Sequence, residues 1–254
     1  MRRLFLIVAL ALWPSLAGAE RVIAVMGIER IAITSNFTGT EIVVFGAIEP
    51  DAQTVSRRGG YDVVVTLRGP ARTLVVRERQ QMMGLWLNGN ERTFLAAPTY
   101  YAALVSRPFV EIASEQLLTQ HEIGIANLRL DVRPDGPVDP AGDVNLRAEL
   151  RRLKMKEGLW IDQIGAVDMP TPQVFRARAP IPSNTPIGIY AVEVLVFSDG
   201  SLVGRERTTF EIEKAGFEQI VVQASQRQAW SYGALSVALA ILTGWLAGAL
   251  FRRS

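Results

Sequence analysis

The 254-residue chain has no cysteine and a single histidine, His121. The first absence excludes disulfides, thiol catalysis, Cys-ligated zinc and iron–sulfur clusters, so any core must hold by burial alone. The second excludes multi-histidine metal sites. The G-x-S-x-G, S-x-x-K, H-E-x-x-H and P-loop patterns are also missing. His121 does stand beside Glu122, but adjacent helix residues point apart, and a structural or surface histidine is the simpler reading. Asp131, Asp135, Asp139 and Asp143 recur every four residues, yet prolines at 134, 137 and 140 interrupt them and the spacing of a calcium loop is absent. No catalytic residue, metal or cofactor is therefore assigned, and the chain reads as non-enzymatic.

A strong excess of charge is lacking too. The formal net charge is +2, but Arg2, Arg3, Arg252 and Arg253 sit at the chain ends. Without them 23 of the 27 basic residues face 25 acidic ones, a balance near −2 that implies no nucleic-acid partner.

What is present in quantity is apolar sequence at both ends. Tyr232 to Phe251 carries neither charge nor proline over twenty residues. At about 1.5 Å rise per residue that length matches a hydrocarbon layer of about 30 Å. Trp230 and Tyr232 supply interfacial aromatics at one end, and Arg252 and Arg253 a positive flank at the other. The hydroxyls of Ser236 and Thr243 can bond back to helix carbonyls. Residues 231–251 are thus predicted to form a transmembrane helix, with 252–254 a cytoplasmic tail. A buried core helix is the alternative, and such helices seldom run this long without a charge. Ser236, Ala240, Gly244 and Gly248 recur every four residues, a stripe that permits close helix packing against a second copy or another membrane protein. At the other end Arg2 and Arg3 precede the apolar stretch Leu4–Trp13, and Ala17-Gly18-Ala19 fits a cleavage pattern, which predicts a signal peptide over residues 1–19 with Ala17 and Ala19 at the cleavage site. The two ends predict one crossing, with the ectodomain outside and a short juxtamembrane segment at 216–230.

Between the ends the period is two. In "YDVVVTLRGP" Tyr61, Val63, Val65 and Leu67 fall on one strand face and Asp62, Thr66 and Arg68 on the other. "EIVVFGAI", "RTLVVRER", "MGLWLNGNERTFLAAP" and "TYYAALVS" read as further strands, with Asn88-Gly89-Asn90 as a turn. Residues 20–108 are predicted to form an N-terminal β-sandwich. Residues 109–142 read as a short helix, with Ser114 a possible cap and Gly124 a stop, followed by a Pro/Gly/Asp-rich linker. Residues 143–215 are predicted to form an immunoglobulin-like β domain opened by one amphipathic helix. Asp143 is its expected cap, Leu146, Leu150 and Leu153 its buried stripe, and Gly158 its stop. In "PIGIYAVEVLVFSDG", Pro186 to Val194 resembles the strand signature that carries a corner tyrosine, and Asp199-Gly200 makes a hairpin turn. The fold expectation is therefore mainly β: two immunoglobulin-like sandwiches with short helices, plus a C-terminal transmembrane helix.

Two surfaces could take a ligand such as a small anion or a sugar. One holds the aromatics Trp86, Tyr100 and Tyr101, which strand positions more often commit to a core. The other is the stripe Arg147, Arg151 and Lys154, which also suits a solvated helix C-terminus.

The segments "ITSNFTGTEIVVFGA", "VVVTLRGP", "GLWLN", "APTYYAALVSRP", "HEIGIANLRL", "LKMKEGLW", "PIGIYAVEVLVFSDG" and "YGALSVALAILTGWLAGALFRR" together resemble an uncharacterised alphaproteobacterial transmembrane protein family. The resemblance covers nearly the whole mature chain. It implies a Gram-negative inner membrane with a periplasmic ectodomain, and it brings no catalytic residues. It also implies proximity to sulfite exporter-like permeases of the TauE/SafE type, by association only. The leading expectation is an accessory or scaffold protein in the lipid bilayer, packed against a polytopic partner or itself. The alternative is a periplasmic small-ligand binding module.

Overall fold

Alternating sequence becomes strand through most of the computed structural model, which describes residues 20–34, 37–50, 60–82, 85–133, 140–215 and 229–251. The strands are β1 (Arg21–Met26), β2 (Arg30–Ile33), β3 (Gly39–Glu49), β4 (Asp62–Arg68), β5 (Ala71–Met82), β6 (Leu85–Pro98), β7 (Tyr101–Val105), β8 (Asp131–Val132), β9 (Trp160–Ile164), β10 (Val167–Thr171), β11 (Val174–Pro182), β12 (Gly188–Ser198) and β13 (Ser201–Lys214). The helices are α1 (Phe109–Ile112), α2 (Glu115–Gln120), α3 (Pro140–Lys156) and α4 (Ala229–Phe251), with a 3-10 turn at Ile125–Asn127. The protein is mainly β. Contacts gather its described residues into two units, one holding Thr38–Ile212 and the strand before Ile31, the other Ile31–Phe37 and the chain from Glu213.

The larger unit contains three sheets. The first has the order β1-β3-β11-β10, the second runs β13-β12-β4-β7-β9, and the third is β5-β6-β8. Among the described residues every pairing within these three sheets is antiparallel except β7 with β9, where Tyr101 to Val105 lie beside Trp160 to Ile164 in parallel. The first two sheets face each other. Ile42, Val44, Ile48, Phe175, Ala177 and Ile181 of one, and Val63, Val65, Leu67, Val192, Val194 and Val196 of the other, are all buried. The approach is close enough that a Cβ added at Gly204 would lie 2.5 Å from a Val22 methyl, so only glycine fits there.

The strands do not divide at the boundary expected between residues 108 and 143. β3 pairs with β11 from Ala47↔Val174 to Gly39↔Pro182, and β4 pairs with β12 from Arg68↔Ala191 to Asp62↔Phe197. Each facing sheet therefore takes strands from both halves, and two independent sandwiches at 20–108 and 143–215 are not formed. The physical reason lies in β4, which is buried on both faces from Asp62 to Leu67. A strand of that kind needs a neighbour on each edge and a layer on each side, more than the N-terminal half supplies.

Local chemistry is closer to expectation. Asp199 and Gly200 both have positive φ (50° and 76°), the signature of a two-residue hairpin turn between β12 and β13. The hydroxyl of Tyr190 donates to the carbonyl of Pro186, the hydrogen bond of a tyrosine corner. Ser114 accepts from the N–H of Leu117 and caps α2. Other details differ. Asn88 to Asn90 lie inside β6, and the β5–β6 reversal falls between Met82 and Leu85. Helix α3 begins at Pro140, where a missing N–H costs nothing, while Asp143 pairs with Arg92. Leu146 and Leu150 are buried, but Leu153 is exposed, because the stripe rotates away from the sheet by the helix's last turns.

Helices α1 and α2 cover part of the outer face of the second sheet. Ile112, Ala113, Leu118 and Ile123 pack there on Val64, Val105, Leu195 and Phe197. In the smaller unit the N–H of Ala215 donates to the carbonyl of Ile33 at 2.9 Å. Helix α4 runs for 23 residues. Its described side chains include the unbroken stretch 237–248, and all of these are exposed. Among the described residues no helix is long and apolar enough to cross a membrane.

Candidate functional site

Where the cover of α1 and α2 ends, the outer face of the second sheet turns polar. Strand register sets the arrangement. Thr66 of β4 lies beside Glu193 of β12, and Glu193 beside Arg207 of β13. One row on, Arg68 lies beside Ala191, and one row back Leu195 lies beside Arg205. Ala191 is short, so the sheet has a hollow floor between longer neighbours. Gln120, His121 and Glu122 at the end of α2 form one wall. The resulting cavity has a volume of about 370 Å³ and is lined by Thr66, Arg68, His121, Glu193, Arg205 and Arg207 among others.

Its charges are organised in pairs. The carboxylate of Glu193, only 8% exposed, accepts from Nε of Arg205 and, at 3.3 Å, from Nε of Arg207. Arg68 pairs through Nη1 with the Glu122 carboxylate. Its Nη2 donates to the carbonyls of His121 at 3.3 Å and Glu122 at 3.2 Å. Three guanidinium groups thus face two carboxylates. Among the described residues two buried polar atoms of the lining have no hydrogen-bond partner, Oγ1 of Thr66 and Nε of Arg68.

The wall is held from behind by Tyr101. Its hydroxyl donates to the carbonyl of Glu122 at 2.9 Å and accepts from the N–H of Gly124 at 2.8 Å, while Arg68 lies over its ring at 5.7 Å. Glu122 adopts φ 52° and Gly124 φ 87°, so the chain leaves α2 through a tight left-handed turn fixed by these bonds. Burial pushes the Tyr101 hydroxyl above the ordinary tyrosine value, and the nearby Arg68 opposes that rise. Asp162 accepts from the N–H of Ile125 at 3.0 Å and closes the same loop. Burial raises its carboxyl above the usual range, against the lowering effect of that hydrogen bond.

The residues expected to make a ligand surface are placed otherwise. Tyr100 and Tyr101 are fully buried in the core, with the Tyr100 hydroxyl bonded to the carbonyl of Pro180, so neither is open to a ligand. The backbone of Trp86 pairs with Gln81 in the β5–β6 hairpin, and its side chain lies outside the described residues. Arg147 donates to the carbonyl of Leu130 at 3.2 Å, and Arg151 to those of Ala126 at 3.0 Å and Leu128 at 3.4 Å. Lys154 pairs with Glu157 at 2.7 Å. These cations clamp a loop and a helix end. Burial, then the neighbouring Arg147, holds Arg151 below its ordinary value. Ser236, Ala240, Gly244 and Gly248 lie on α4, and added Cβ atoms at Gly244 and Gly248 would meet nothing within 4 Å. Ala17 and Ala19 of the expected cleavage site, the tail at 252–254 and juxtamembrane residues 216–228 lie outside the described residues. Among the described residues no group of three or more His, Asp or Glu side chains is placed to hold a metal ion.

The polar cavity was not expected from the sequence. Its one visible signal was the polar alternation itself, Thr66 and Arg68 against Val63, Val65 and Leu67. That pattern reads as solvent contact unless the covering helices are known.

The chain belongs to the family "Putative transmembrane protein (Alph_Pro_TM)", whose sequence profile matches residues 21–253. No protein of curated function matches it. Among solved structures it is similar to Spo0M, the sporulation control protein of Bacillus subtilis, at 10% identity and a TM-score of 0.31. That match covers 83% of this chain, and the chain spans 56% of the Spo0M length.

Proposed function

We propose that the protein is a non-enzymatic accessory or scaffold protein, held in the bacterial inner membrane by a single crossing of α4 with its β unit on the periplasmic side. One observation carries the reading. Along α4, Val237, Leu239, Ile241, Leu242, Trp245 and Leu246 are all exposed, Ile241 at 67% and Trp245 at 69%. A run of large apolar side chains bared to water on one helix is a membrane or partner surface. The helix carries no charged residue over Ala229–Phe251, and the hydroxyl of Thr243 bonds back to the carbonyls of Leu239 at 2.8 Å and Ala240 at 3.0 Å, as a hydroxyl in lipid must. Membership of a family named for transmembrane proteins supports the same reading. The periplasmic placement rests on the positive flank at Arg252 and Arg253. The β unit then serves as a rigid periplasmic body, with α4 packing through Ser236, Ala240, Gly244 and Gly248 against a polytopic membrane protein, such as an anion permease of the sulfite exporter-like type, or a second copy.

Alkaline carbonate washing of native membranes tests the anchor. The full chain should stay in the pellet, and release into the supernatant would overturn the crossing. Leu at both Gly244 and Gly248 should leave membrane retention intact and abolish crosslinking to the partner. Unchanged crosslinking would remove the stripe from the reading.

A further inference from the structure

We propose that the cavity on the outer face of the second sheet is a binding site for a small oxyanion of the phosphate, sulfate or carboxylate type. This goes beyond the membrane reading and does not depend on it. The carrying observation is a pair of orphans. Thr66 is 0% exposed, and its Oγ1 has no hydrogen-bond partner among the described residues. Nε of Arg68, also buried, has none either. Both residues line the same cavity. A buried donor without an acceptor costs stability, so such groups are commonly completed by something that enters the site.

The missing partner has a definable chemistry. A guanidinium N–H can only donate, and a threonine O–H can donate. The occupant must therefore present acceptors. The two carboxylates in the lining are already engaged, Glu193 by Arg205 and Arg207, and Glu122 by Arg68. Both contacts of Glu193 use Nε of its arginines, and the terminal nitrogens of Arg205 and Arg207 meet no protein acceptor among the described residues. Two guanidinium forks thus line one hollow, the unpartnered Thr66 hydroxyl and Arg68 Nε–H lie buried in its wall, and its arginines outnumber its carboxylates by three to two. Paired N–H donors of a guanidinium match the oxygens of a carboxylate or phosphate group. Ala191 leaves the floor open beneath them, and about 370 Å³ is room for an anion of a few heavy atoms together with water.

The test is calorimetric titration of the detergent-solubilised full chain with inorganic phosphate, sulfate and acetate, at ionic strength held constant with chloride. Saturable binding of at least one oxyanion is expected, and the preference for phosphate and sulfate over acetate, or the reverse, decides between tetrahedral and planar ligands. Thr66→Val and Arg207→Gln should each weaken that binding about tenfold or more. Arg178→Gln, an exposed arginine of the first sheet, should leave it unchanged. Because Thr66→Val deletes a hydroxyl with no partner, its ligand-free melting temperature should not fall, which separates lost binding from lost folding. No saturation by any of the three anions would mean that only water completes the donors, and the proposal fails. Binding that Thr66→Val and Arg207→Gln leave untouched would equally overturn it.

Discussion

The two faces of β4 are buried in different surroundings. Val63, Val65 and Leu67 face the opposing sheet and are fully buried. Val64, Thr66 and Arg68 alternate with them along the same backbone; Val64 and Thr66 are also buried, and Arg68 is partly buried. Val64 sits under α1 and α2, whereas Thr66 and Arg68 enter a charged cavity. Burial on this strand thus serves two physical ends. On one face it removes hydrocarbon from water, and on the other it sets polar groups in a low-dielectric surrounding where each hydrogen bond and charge counts for more.

That contrast can be broken experimentally, beginning with the inner face. Leu67→Ala empties a fully buried site and should lower stability by about 2–5 kcal/mol in urea unfolding of the solubilised chain. A loss below about 1 kcal/mol would mean that the facing sheets are not closely packed. On the outer face Arg68→Met keeps the length of the side chain but removes a donor from the Glu122 carboxylate and from the carbonyls of His121 and Glu122, the last of which keeps the Tyr101 hydroxyl. It should lower stability by about 1–3 kcal/mol. A neutral outcome would reduce the Arg68–Glu122 pair to an ordinary surface contact. The finest test is pH. The Asp162 carboxyl titrates above its unfolded value because it is buried. Its contribution is therefore fully present below the ordinary carboxylate range, about pH 4, and is lost as pH rises through the raised folded value. Asp162→Asn keeps an acceptor for the Ile125 N–H and removes the charge, so the stability–pH curve should flatten across that window. A slope that persists in the variant would assign it to another group.

Local features were legible in the sequence wherever a single residue type decides the geometry. Asp199-Gly200 announces its turn because both positions need positive φ, and Ser114 announces a helix start because its oxygen reaches an exposed N–H. Alternation correctly separated Val63, Val65 and Leu67 from Thr66 and Arg68. Strand partners could not be read in this way. Period two states which way a side chain points and nothing about which strand lies next to it, so β3 and β4 were assigned to a sandwich without β11 and β12. The cavity was hidden for the same reason, since Thr66, His121, Glu193 and Arg207 converge only once four separate elements are placed. The arginines of α3 were visible as a stripe, but their carbonyl partners in the loop before Asp131 were not.

The pairing of Val65 with Val194 has a consequence for how the molecule comes into being. Synthesis proceeds from the amino end, so β4, buried from Asp62 to Leu67, is made long before the segment that completes its edge. Until β11 and β12 arrive, β3 and β4 expose sticky ribbons open to wrong company. The unpaired edges of β3 and β4 are completed only when the last third of the chain has been made.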